Sequence, residues 1–157
     1  MCSNLCPLEI VTHYWVHNGM KREIAVYNHY TGIFESATES VNDYLSSGFY
    51  TAEILKSGST WYAMIYNYST SQWETLYSES GSGTYYYGWD IWEEWGFNES
   101  NWPDLDSKRF EAKSVIIHVG ASDYYVTSTY GSAYNDVGTA PYSFNWVNNY
   151  YRWYVQD

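Results

Sequence analysis

The chain has 157 residues, enough for one domain with a real core, and 22% of them are aromatic. Its formal charge of −11, with only seven Lys and Arg, excludes a clustered basic surface and so a nucleic-acid partner, and disfavours an anionic membrane. No apolar run approaches the ~20 residues of a transmembrane segment.

Tyr and Trp, with many Thr, Ser, Asn and Gly, outweigh the helix formers, so the composition predicts strands joined by polar turns. The rings exceed what one core of this size needs, and the surplus is expected on the surface, where flat faces stack on ligands. Acidity keeps such a surface soluble. The expected partner is a neutral ligand such as a glycan, or copies of the chain itself.

Taken in chain order, Cys2 and Cys6 come first. They are the only cysteines and are disulfide candidates, either within one chain or between two; two thiols alone make a poor metal site. Next comes an internal repeat. Residues 10–40 align without gaps on residues 49–79 at an offset of 39. Thr12 falls on Thr51, Gly19 on Gly58, Val26-Tyr27-Asn28 on Ile65-Tyr66-Asn67, Thr31 on Thr70, and Phe34-Glu35-Ser36 on Trp73-Glu74-Thr75.

Each copy reads as three strands joined by two tight turns. Asn18-Gly19 and Ser57-Gly58 mark the first turn, because glycine accepts positive φ. Thr31-Gly32 and Thr70-Ser71 mark the second, with Asn28 and Asn67 placed to bond the turn backbone. A three-stranded meander buries one face only, so two copies are expected to pack against or beside each other. The stretch Thr38–Leu45 is compatible with a helical turn.

After Gly81-Ser82-Gly83, residues 84–95 read as a long strand and 96–109 as a loop. Residues 110–119 and 123–130 read as a hairpin, 131–142 as a loop, and 143–155 as one last aromatic strand. The fold class expected is all-β: a single-domain, antiparallel two-sheet β-sandwich over residues 1–157, concanavalin-like or jelly-roll in type, with about ten strands.

The period of two divides the 84–95 strand into faces. One carries Tyr86, Gly88, Asp90, Trp92 and Glu94, where rings alternate with carboxylates around a glycine. Such a lining suits a sugar or peptide groove, and Tyr86, Asp90, Trp92 and Glu94 are the candidate ligand-binding residues. Asp90 and Glu94 are weak catalytic candidates, because four residues of regular strand separate them by about 13 Å, beyond the roughly 5–9.5 Å of glycosidase acids.

His13 and His17 are too far apart on a strand to share a metal, and His29 and His118 have no ligand spacing. Glu99, Asn101, Asp104 and Asp106 place oxygen donors at short spacing and are weak candidates for a structural Ca2+, without the order of an EF-hand; no other cofactor is expected. Asn67-Tyr68-Ser69 and Asn98-Glu99-Ser100 match the glycosylation sequon.

From Tyr50 to Ile117 the chain resembles the eqolisin-type glutamic peptidases. The resemblance rests on the stretch from Trp61 to Trp73, on the acidic strand Trp89-Asp90-Ile91-Trp92-Glu93-Glu94, and on the Phe110 to Ile117 strand. It implies a concanavalin-like sandwich and, in the family, a glutamate and a glutamine that activate water. The matching carboxylate here is Asp90, and the glutamines, Gln72 and Gln156, do not stand where the family needs one. Three functions follow as expectations. The first is a non-catalytic, extracellular or cell-surface binding or adhesion module, lectin-like in character. The second is a self-assembling surface protein, and the third an acid-active, eqolisin-like hydrolase.

Overall fold

The computed structural model describes residues 7–15, 21–38, 41–81, 109–119, 121–125, 141–148 and 152–156. Their secondary structure is strand, apart from turns and one 3-10 turn at Asn42–Tyr44. All pairings are antiparallel. The all-β class predicted from composition and turn spacing is therefore the observed one. No helix among the described residues is long and apolar enough to cross a membrane. The chain divides into two compact units, Met1–Gly88 and Trp89–Asp157.

The first unit is the duplicated one. β1 (Leu8–Trp15), β2 (Lys21–Asn28) and β3 (Ile33–Thr38) form one meander, and β4 (Ala52–Ser57), β5 (Thr60–Asn67) and β6 (Gln72–Ser80) form the other. The turn chemistry read from sequence is what closes them. Gly58 sits at φ 61 in a two-residue hairpin turn, where Ser57 pairs with Thr60. Gly32 at φ 73 and Ser71 at φ 57 occupy equivalent left-handed positions before β3 and β6. The Asn18-Gly19 turn lies outside the described residues.

Alternation sends one face of each middle strand inward. Ile24, Val26 and Asn28 of β2 are buried, as are Trp61, Ala63, Ile65 and Asn67 of β5. One apolar cluster joins Leu8 and Val26 of the first meander to Trp61 and Ala63 of the second. Another joins Ile24, Val41 and Ile65, with Tyr44 and Tyr50 of the connecting segment packed on it. The two meanders thus share a core, in the two-layer manner of a sandwich. Full burial of a side chain such as Val26 or Ile65 stabilises by about 1.5–3 kcal/mol. The Tyr30 ring reaches from the first meander onto Gly81, where a Cβ would come within 2.9 Å of its hydroxyl.

The copies are not identical in register. β2–β3 and β5–β6 pair equivalently at an offset of 39 around their turns, since Tyr27 opposes Phe34 as Tyr66 opposes Trp73. The bulge that interrupts each pair has moved by two positions, from between Val26 and Tyr27 to between Ala63 and Met64. The first strands differ more. Trp15 pairs with Lys21, whereas Ser57 pairs with Thr60, so the first hairpin has three more residues in its connection. The structural counterpart of Thr51 is therefore Glu9, not the Thr12 of the ungapped alignment.

The second unit contains β7 (Arg109–Lys113), β8 (Ile116–Val119), β9 (Ser122–Tyr125), β10 (Ser143–Asn148) and β11 (Arg152–Gln156). β8 and β9 form a hairpin, and β10, β11 and β7 form a sheet in that order. Two strand expectations need correction. The run 110–119 breaks at Ser114, which adopts φ 57 and separates β7 from β8. The run 143–155 is a hairpin rather than one strand, with Trp146 opposite Trp153.

One face of this sheet buries Trp153 and Val155 with Tyr142, and Phe110, Ala112 and Phe144 pack on them. On the other face the Glu111 carboxylate, 3% exposed, sits between Arg109 and Arg152, whose Nε lies 2.7 Å from Oε1. A buried carboxylate held by two guanidiniums is both paired and hydrogen-bonded.

Candidate functional site

The chemistry-bearing residues singled out by sequence, Tyr86, Asp90, Trp92 and Glu94, lie outside the described residues. So do Glu99, Asn101, Asp104, Asp106, Cys2 and Cys6. Among the described residues there is no group of three or more His, Cys, Asp or Glu that could hold a metal ion.

What the structure does assemble is a polar turn site and a ring platform, once in each meander. The polar site begins with the inward Asn that ends each middle strand. Asn28 Oδ1 accepts from the Tyr30 N–H at 2.8 Å, and Asn67 Oδ1 accepts from the N–H groups of Ser69 and Thr70 at 2.9 and 3.1 Å. Both are Asx turns, which replace the missing backbone partners of a tight connection.

The amide nitrogens face carboxylates. Asn67 Nδ2 donates to Glu74 at 2.7 Å, and the Tyr44 hydroxyl donates to the other oxygen of Glu74 at 2.9 Å. Asn28 Nδ2 donates to Glu35 at 3.4 Å within its own copy and to Glu79 of β6 at 3.0 Å. Tyr77 also donates to Glu79, and Thr31 to Glu35. Both hydrogens of the Asn28 amide are thereby committed, and the arrangement is that of a satisfied buried network.

Tyrosine acidity follows from these partners. Burial, the Glu74 hydrogen bond and the charges of Glu74 and Asp43 push the Tyr44 phenol above its ordinary 10.0. Burial, the Glu79 hydrogen bond and the charges of Glu79 and Glu35 do the same for Tyr77, opposed by Asn28. The burial of Asn67 also bears on its sequon. With the amide donating to Glu74 and its oxygen accepting from the turn, the nitrogen is not presented for glycan attachment.

The ring platforms lie on the outer faces, one residue out of phase with the buried Asn and apolar positions. In the second meander Tyr66 meets Trp73 across the strands at 5.5 Å and 78°, and Tyr68 at 5.0 Å and 73°. The Tyr68 hydroxyl is tied to Thr51 Oγ1 at 2.6 Å. In the first, Tyr27 meets Phe34 at 5.1 Å and 60° and His29 at 4.9 Å and 86°. His29 Nε2 lies 3.1 Å from Glu9 Oε2. Edge-on contacts of this kind hold the rings in place without covering both faces. Trp73 remains 41% exposed and Phe34 52%, values high for large apolar side chains in a repeat that buries its other face.

No protein-family model, curated protein or solved structure matches this chain. The site must therefore be read from its own geometry. Sequence reasoning placed Tyr27 on Tyr66 and Phe34 on Trp73 but assigned them no role. The signal was present in the repeat, as aromatic pairs kept at the same offset on the solvent-facing phase of both copies. The aromatic stretch from Trp146 to Trp153 is divided by the hairpin: Trp146 is exposed and Trp153 buried.

Proposed function

We propose that the chain is a non-catalytic, extracellular binding or adhesion module of lectin-like character, with a ring-lined sheet face as its ligand surface. The observation that carries this reading is the Tyr66–Tyr68–Trp73 platform, in which Tyr66 makes T-shaped contacts with the other two rings and the indole stays partly exposed to solvent. A sugar ring presents a flat apolar face to such a platform and hydroxyls to its rim. Thr51 stands at its rim, its hydroxyl bonded to that of Tyr68. The charge of −11 repels anionic ligands and leaves neutral ones favoured. Residues 84–95, which the sequence reads as a strand, are proposed to carry a further face of the same kind with Tyr86, Asp90, Trp92 and Glu94.

The resemblance to glutamic peptidases enters this reading as a proposal of fold only. Asp90 lacks a matching glutamine, and hydrolysis is expected to be absent or slow.

The test is binding of the purified chain to arrays of neutral oligosaccharides and to insoluble neutral polysaccharides, with Trp73→Ala alongside. Binding lost in the variant, with a melting temperature close to that of the parent, supports the proposal. Failure to bind any neutral glycan, or equal binding by the variant, overturns it. Particle growth with concentration in light scattering, abolished by Trp73→Ala, would instead assign the rings to self-assembly.

A further inference from the structure

We infer that the chain carries two glycan-stacking platforms, one per meander, the platform of the first meander being Tyr27, His29 and Phe34. The inference rests on the binding reading above and extends it to a face that reading does not use.

Three observations support it. All three ring positions of the second platform are aromatic in the first at an offset of 39: Tyr66 and Tyr27, Tyr68 and His29, Trp73 and Phe34. The geometry is also kept, with one central tyrosine meeting a ring on the next strand and a ring two residues on.

The third observation is the tie to the first strand. Tyr66 N–H donates to Thr51, and the Thr51 hydroxyl holds Tyr68. Glu9 opposes Tyr27 in register and holds His29. The same contact is thus made by unrelated chemistry, a hydroxyl pair in one copy and an imidazole–carboxylate pair in the other. Meanwhile the bulge has moved by two positions and the first strand by three. A contact rebuilt from different groups while its surroundings shift reads as a platform kept for its shape.

The ligand class follows from the rim. Glu9, opposite Tyr27 and beside His29, stands at the rim of the first platform, and its carboxylate suits the hydroxyls of a neutral pyranose and repels uronic acids and sulfated sugars. Phe34 has no ring N–H, so this platform supplies stacking with fewer directed bonds than the indole of Trp73. The first site is therefore the weaker of the two.

The experiment is a titration of the full chain, labelled in its aromatic rings, with cellohexaose, laminarihexaose and mannohexaose, followed by NMR. At least one hexasaccharide should shift the rings of Tyr27 and Phe34 as well as those of Tyr66 and Trp73, with two molecules bound per chain. Phe34→Ala should weaken the first site about tenfold and leave the shifts of Tyr66 and Trp73 intact. Phe34→Leu, which keeps an apolar cross-strand partner for Tyr27, should lose the same site and guards against a folding defect. Response of Tyr66 and Trp73 alone, with one molecule per chain, overturns the inference and leaves the binding reading standing. No response by either ring set to any of the three sugars overturns both.

Discussion

The two meanders share a sequence unit and a core but differ in the burial of their middle strands. Along β5 burial alternates strictly, every second residue being buried from Trp61 to Asn67. Along β2 three consecutive residues, Ile24, Ala25 and Val26, are buried. Ala25 stands where the second copy has Met64, and it has no exposure although it lies on the outward phase. Burial on the outward phase of β2 is confined to Ala25, since Glu23 and Tyr27 on the same phase are half-buried. The comparison teaches that duplication preserved the inward Asn, the turn and the rings, while the centre of the outer face was free to change.

The largest effect expected from breaking this comparison is at the two asparagines. Asn28→Ala and Asn67→Ala should each cost about 2–4 kcal/mol in urea unfolding, since each leaves partly buried carboxylates and turn donors without their amide. The two should differ in coupling. Asn28 bonds Glu79 across the meanders, so Asn28→Ala combined with Glu79→Gln should be non-additive by about 0.5–3 kcal/mol. Asn67 bonds Glu74 within its copy, and Asn67→Ala with Glu79→Gln should be additive. Additivity in both pairs would remove Asn28 as a link between the meanders.

A smaller effect concerns alkaline pH. The phenols of Tyr44 and Tyr77 are held above 10.0 in the folded chain, so above that pH the folded state keeps protons that the unfolded state has lost. Their contribution is therefore complete below pH 10 and declines as pH rises through the raised values. Urea midpoints measured between pH 8 and 11 should fall in the alkaline range, and Tyr44→Phe and Tyr77→Phe should each flatten the fall. An unchanged slope in both variants would show that these phenols do not couple folding to pH.

The smallest effect sharpens the turn comparison. Gly32 and Ser71 occupy the same left-handed position, at φ 73 and φ 57. Serine is strained there by its Cβ, so Ser71→Gly should raise stability by up to about 1 kcal/mol and Gly32→Ser should lower it by about as much. Thermal melts of the two variants should move in opposite directions; a shift in the same direction would mean that the two turns are not equivalent.

The sequence by itself determined the all-β class, the duplication, the Gly58, Gly32 and Ser71 turns and the bonding of Asn28 and Asn67 to their turn backbones. Each of these depends on groups a few residues apart, so the information is local. It also held the ring platform, in the aromatic pairs Tyr27–Tyr66 and Phe34–Trp73, and aligned the third pair, His29 on Tyr68, without showing that it belongs to the platform. His29 and Tyr68 look unrelated until a first-strand residue is found holding each. Only the tertiary structure decided that Glu9 corresponds to Thr51, because strand register follows from connection length and burial rather than from residue identity. The same reason explains why residues 143–155 became a hairpin. Burying Trp153 and Val155 against Phe110 and Ala112, with Trp146 left exposed on the edge strand of the same face, is a choice made by a non-local partner, β7, and no run of aromatic residues states it in advance.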